Sequence, residues 1–205
     1  MSDPYVYPGT DVLINKFGIQ DKEKLSYIER NYTGFRAYQL TVNPVEGDFD
    51  FEHLKKIHYH LFQDVYDWAG QVRTVDIIKY PTYFCPTENI ESYATAIFAN
   101  LKKDNYFKDL DPDTFAKKTA DLLDNINTLH PFREGNGRAQ REFIKELALD
   151  AGYSLDLSKV PSREMTESSI KSFHLSNHDG FEPLIKIYLK PLNNISPKNE
   201  PRFEL

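Results

Sequence analysis

Residues 130–141 read His-Pro-Phe-Arg-Glu-Gly-Asn-Gly-Arg-Ala-Gln-Arg, a run that places an imidazole, a carboxylate and two glycines beside three arginines. The apolar spacing of Phe143, Ile144, Leu147, Ala148 and Ala151 predicts a helix beginning near Arg138. Gly135 and Gly137, on either side of Asn136, let the backbone come close to a ligand just where that helix opens, and unpaired amides there attract anions. Arg138 and Arg141 are three residues apart, so both can reach one ligand, and the guanidinium fork suits phosphate oxygens. Glu134 is the only carboxylate of the run. A single carboxylate acting with substrate phosphates is a common way to hold Mg²⁺. His130 is a natural general base for a hydroxyl. Pro131 and Phe132 are expected to anchor the loop, and Arg133 is given no role. Together these residues describe nucleotide or phosphoryl transfer to a hydroxyl, driven by positioning and charge neutralisation. A hydrolytic metal site on His130 and Glu134 is the weakest reading, because the run offers no further imidazole or thiolate.

The chain of 205 residues makes about one domain with a sizeable core, and 40% hydrophobic with 27% charged residues is ordinary globular composition. The net charge of −6 provides no basic surplus for broad, direct nucleic-acid binding. One cysteine, Cys85, excludes an intramolecular disulfide framework. No apolar run has membrane-spanning length, and Met1-Ser2-Asp3-Pro4-Tyr5 does not resemble a signal peptide, so the expected compartment is the cytoplasm with no membrane partner. Translocation into a host cell by another signal stays open.

The elements that must position the motif follow from periodicity. Asp21 is expected to cap a helix with Leu25, Ile28 and Tyr32 inward. A helix over 51–67 carries Leu54, Ile57, His58, Leu61, Phe62 and Val65, with Gly70 as its C-cap. His53, His58 and His60 on it read as structural or surface histidines. Residues 72–78 and 83–85 are expected to form a hairpin around Pro81. Thr87 is expected to cap a helix with Ile90, Ala94, Ile97, Phe98 and Leu101 inward. Asp111-Pro112 opens another that runs through Leu129 to deliver His130. After the motif helix, stopped by Gly152, Ser162 is expected to cap a segment with Met165, Ser169 and Phe173. A last helix holds Leu184, Ile185, Tyr188 and Leu189. The expectation is one all-α domain over 1–205, with its core at about 21–190, one small β-hairpin and a loose tail over 191–205.

The motif resembles that of the Fic family, His-x-Phe-x-(Asp/Glu)-Gly-Asn-Gly-Arg-x-x-Arg, at every fixed position from His130 to Arg141. Asp3-Pro4-Tyr5-Val6-Tyr7-Pro8 is similar to bacterial members of the cell-filamentation and toxin type. The resemblance implies a Fic-fold helical bundle and transfer of AMP from ATP to a Tyr, Thr or Ser hydroxyl of a target protein. On that basis His130 is the base and Glu134 holds Mg²⁺. Gly135, Asn136 and Gly137 form the anion cradle, while Arg138 and Arg141 take the β- and γ-phosphates. The hairpin would be the flap that aligns the target by strand addition, with Ile78, Lys79 and Pro81 as its docking residues. Gly137 matches AMP-transferring members, since Doc-type kinases carry Lys there. A Doc-like protein kinase and a nucleotide-binding regulator with little catalysis remain alternatives. Many family members are held off by a helix bearing (Ser/Thr)-x-x-x-Glu-(Gly/Asn). Neither Thr87–Glu91 nor Ser196–Glu200 is a clean copy, which points to a separate small antitoxin supplying it. Relatives modify DNA gyrase and topoisomerase IV, or host GTPases.

Overall fold

The computed structural model describes residues 3–79, 82–175 and 180–192, without the side chains of Lys79, Thr82 and residues 173–175. Expectations on Pro81, on Ser196–Glu200 and on the tail from 193 therefore lie outside the described residues, as do those on the side chains of Lys79 and Phe173. The helices are α1 (Lys22–Val42), α2 (Phe51–Phe62), α3 (Ile90–Lys103), α4 (Pro112–Leu129), α5 (Asn136–Asp150), α6 (Ser162–Leu175) and α7 (Glu182–Tyr188). Two antiparallel strand pairs accompany them: β1 (Ile78–Lys79) with β2 (Thr82–Tyr83), and β3 (Tyr153–Ser154) with β4 (Lys190–Pro191).

Acidic caps set the helix starts. Asp21 accepts from the Lys24 amide, Asp50 from His53, and Asp111 from both Asp113 and Thr114 with Pro112 behind it. The apolar faces then dictate the packing: α1 lies on α2, α2 on α5, α5 on α4, and α3, α6 and α7 against α4. Phe62, Phe115, Phe132 and Phe143 are fully enclosed in this core. Burying each contributes about 1.5–3 kcal/mol. Phe132 belongs to the motif, so the loop is fixed to the core from below.

Several boundaries differ from expectation, each for a local reason. The α1 face turned to the core carries Leu25, Thr33 and Leu40, while Tyr32 is exposed. α2 ends at Phe62, where the amides of both Val65 and Tyr66 turn back to the Phe62 carbonyl. Gly70 accordingly caps no helix; its amide donates to His58 Nδ1 instead. Thr87 opens a short 3₁₀ turn before α3, and its amide is held by Asp76. The strand expected from Val72 pairs only at Ile78–Lys79, since Arg73 N donates to the Pro131 carbonyl and Cys85 N to Thr128. Those backbone groups serve the motif loop and the end of α4 rather than a ladder. The β3–β4 pair, which periodicity did not predict, joins segments separated by α6 and α7 and holds the described start of the tail, with Leu192 N donating to Gly152.

Candidate active site

α4 ends by placing His130 in the left-handed region, φ 43° and ψ 58°, with its amide still bonded to the Ile126 carbonyl. A non-glycine residue there is strained and persists only when its surroundings over-determine it. They do so here. Arg73 Nε donates to the His130 carbonyl at 2.8 Å, and the Phe84 ring stacks on the imidazole at 3.6 Å between centroids. Nδ1 lies 3.3 Å from the Asn127 carbonyl, which can only accept, so the proton of the neutral ring is on Nδ1 and Nε2 carries the basic lone pair.

The loop after it is clamped by Asn136. Its side-chain oxygen accepts from the Phe132 amide at 2.9 Å and its nitrogen donates to the Phe132 carbonyl at 2.7 Å. The cradle expectation for Asn136 is thereby narrowed to its backbone amide. Gly135 is the N-cap of α5 at φ 81°, and a Cβ there would sit 2.2 Å from Phe62 Cζ. Only glycine meets both the torsion and the space. Arg138 and Ala139 supply the first amides that reach back to the Gly135 carbonyl, which leaves those of Asn136 and Gly137 ahead of the helical ladder. A Cβ on Gly137 would lie 3.2 Å from Arg141 Nη1, so glycine also keeps that guanidinium uncrowded.

Below the loop, buried His58 stacks on Phe132 at 3.8 Å. Because Nδ1 accepts from the Gly70 amide, Nε2 bears the proton and donates to the Glu134 carbonyl at 2.9 Å. Burial, reinforced by the charge of Arg138 and only partly opposed by the Glu134 bond, pushes its pKa down to about 3, so it stays neutral. The Glu134 carboxylate is turned outward, accepting from the Gly135 amide at 2.9 Å.

A cavity of about 480 Å³ opens beside these groups, lined by Phe84, His130, Gly137 and Arg141 on one side and by residues of α6 on the other. Arg141 makes no hydrogen bond or ion pair with any described residue. Burial first, then the neighbouring Arg138 charge, lowers its pKa from the usual arginine value, so an anion in the cavity would relieve it. Arg138 does not line the cavity. Its guanidinium donates to Glu29 at 2.6 Å and Thr33 at 3.2 Å, lies 4.5 Å from the Phe62 ring centroid, and comes within 4.0 Å of Glu134. Tyr66 donates to the other Glu29 oxygen. Arg133, given no role from sequence, is bonded to Asp3 at 2.6 and 3.0 Å.

The Fic/DOC family model matches residues 48–148. The chain is 42% identical over 185 residues to protein adenylyltransferase VbhT of Bartonella schoenbuchensis, covering 90% of this chain but 38% of that protein. It is 41% identical over 174 residues to the probable protein adenylyltransferase y4lH of Sinorhizobium fredii, covering 84% of this chain and 89% of that one. The chain belongs to the Fic/DOC family. The fold agrees: the crystal structure of the BepC protein of Bartonella tribocorum with bound AMPPNP superposes with a TM-score of 0.85 at 29% identity, covering 91% of this chain and 96% of that one.

Within this Fic domain, His130, Gly137 and Arg141 meet at one cavity, and Glu134, Gly135 and Asn136 adjoin them through the loop. Ile78 stands away from that group, 62% exposed on β1, in register with Tyr83. Sequence reasoning missed Arg73, Phe84, Glu29 and the role of His58. Two of these left a trace. His58 falls on the apolar face of α2, and Arg73 interrupts a β-branched run, and in each case a polar group must find a buried partner. Glu29 and Phe84 left none, because their partners are distant in sequence. No helix among the described residues is long and apolar enough to cross a membrane.

Proposed function

We propose that the chain is a protein adenylyltransferase that moves AMP from ATP to a hydroxyl side chain of another protein. The observation that carries this reading is the half-buried Arg141, which bonds no other described residue and faces the same cavity as His130, beside the amides of Asn136 and Gly137 at the start of α5. The names of the relatives support it, as does the AMPPNP bound in BepC. The target hydroxyl oxygen attacks the α-phosphorus, and the bond from that phosphorus to the α,β-bridging oxygen breaks. Pyrophosphate leaves, and the hydroxyl proton passes to His130 Nε2. The amides of Asn136 and Gly137 cradle phosphate oxygens, the Gly135 amide stays on the Glu134 carboxylate, and Arg141 takes the terminal phosphates. Arg138 adds charge from its Glu29 anchorage at the edge of the cradle.

The outward, half-exposed carboxylate of Glu134 fits Mg²⁺ as a lone protein ligand acting with phosphate oxygens, and the ion would there neutralise phosphate charge. Ile78 and Tyr83 present an exposed two-stranded edge suited to pairing with an extended target segment; Lys79 and Pro81 belong to the same docking reading. Within this reading the enzyme acts in the cytoplasm, on a type II topoisomerase such as DNA gyrase or topoisomerase IV. It is the toxin of a pair whose small antitoxin places an inhibitory carboxylate on Arg141.

The test is labelling of bacterial lysate proteins with Mg²⁺ and ATP carrying the label at either the α or the γ position. The α-label should enter protein with the wild type and disappear with His130→Ala. Entry of the γ-label alone would select the kinase reading, and no labelled protein would overturn transfer altogether.

A further inference from the structure

We propose that Arg73 is a positioning residue that locks the flap to His130 and thereby fixes the orientation of the imidazole; this rests on His130 being the base of the reaction proposed above. Arg73 is enclosed, its side chain 0% exposed, and each guanidinium nitrogen is given to a different main-chain carbonyl. Nε donates to His130 at 2.8 Å, Nη1 to Val75 at 2.8 Å, and Nη2 to Cys85. Val75 and Cys85 are the two roots of the hairpin formed by β1 and β2, so one cation closes the hairpin base and ties it to the end of α4. Phe84, the residue before Cys85, lays its ring on the imidazole at 17° to its plane. The Arg73–Cys85 bond therefore sets the surface against which His130 rests. The Arg73–His130 bond holds the backbone that presents it.

Charge balance argues that geometry is the reason for an arginine here. A buried guanidinium is costly unless fully bonded. Its nearest carboxylate, Asp76, is 3.7 Å away with a 65% exposed side chain. A Lys offers one ammonium and cannot span three carbonyls, whereas the planar fork can. An apolar side chain would leave the buried carbonyls of His130 and Cys85, and the part-buried one of Val75, without this donor. A target segment docking on β1 or β2 would thus press on a frame that already contains the base.

Arg73→Lys in the full chain tests this with two readouts. At saturating ATP, the rate of α-label transfer to lysate protein should fall about 10- to 100-fold, as misplaced catalytic groups do. The ATP concentration giving half that rate should stay within about twofold, because the cradle is untouched. The His130 Hε1 resonance should move downfield as the ring leaves the shielding face of Phe84. A folded Arg73→Lys protein whose His130 resonance is unmoved would overturn the proposal, as would a transfer rate lost only in proportion to unfolded protein. If Arg73→Lys does not fold, Phe84→Leu decides: a similar fall in the rate at saturating ATP is expected, and a wild-type rate overturns it. If the wild type labels nothing, the reading of the reaction fails, while the His130 resonance still decides the placement.

Discussion

His58 shows what a single buried ring contributes. Both nitrogens are engaged by backbone groups, and burial holds the pKa at about 3 against an ordinary 6.5. Between those values the unfolded chain binds a proton that the folded protein refuses. Stability therefore rises with pH through this window, is complete above about pH 6.5, and is lost as the pH falls toward 3. The loss amounts to about 1.4 kcal/mol for each pH unit below 6.5. Denaturant midpoints at pH 7 and pH 5 should show the wild type losing about 2 kcal/mol more than His58→Gln over that interval. Equal losses would mean that the ring is protonated in the fold.

At the scale of elements, the junction of α4 and α5 is decided by close approach. Gly135 and Gly152 are both glycines at positive φ, 81° and 88°, at opposite ends of α5. Gly152 has no atom within 4 Å of a built Cβ, whereas Gly135 faces the enclosed Phe62 ring at 2.2 Å. Gly152→Ala should cost about 1–2 kcal/mol, the torsional penalty alone. Gly135→Ala must also displace a packed ring or the cradle, and should cost at least about 3 kcal/mol and weaken ATP binding. Urea titration and calorimetry of nucleotide binding on the two variants separate these outcomes. Similar stabilities would show that the loop relaxes without strain.

Across the whole molecule, the N-terminal arm acts as a strap. Asp3 bonds Arg133 of the motif loop, the Tyr5 hydroxyl meets both the amide and the hydroxyl of Thr74 beside Arg73, and the Tyr5 ring stands edge-on to Trp68. The arm thus joins the root of the β1–β2 hairpin to the motif loop. The Asp3–Arg133 pair is partly exposed, so Asp3→Ala should change stability by less than about 1 kcal/mol. Tyr5→Ala removes ring packing and two hydrogen bonds, and should cost about 2–3 kcal/mol by thermal or urea unfolding. An Asp3→Ala loss as large as that of Tyr5→Ala would place the strap's strength in the ion pair instead.

The sequence alone determined the helices and the motif. Helical periodicity, acidic caps and the order His130–Glu134–Gly135–Gly137–Arg141 are local properties, written within one or two turns of chain. It also contained the Fic resemblance, because that pattern is contiguous. Tertiary structure decided how the arginines divide their work. Arg138 turns to Glu29, more than a hundred residues away in sequence, while Arg141 is left to the cavity. It likewise decided that Arg73 and Cys85 give their amides to the motif loop and the end of α4 instead of a longer strand, and that Arg73 and Phe84 hold His130. Those outcomes depend on which buried polar groups find partners once distant segments meet, and no spacing within a single segment encodes that pairing.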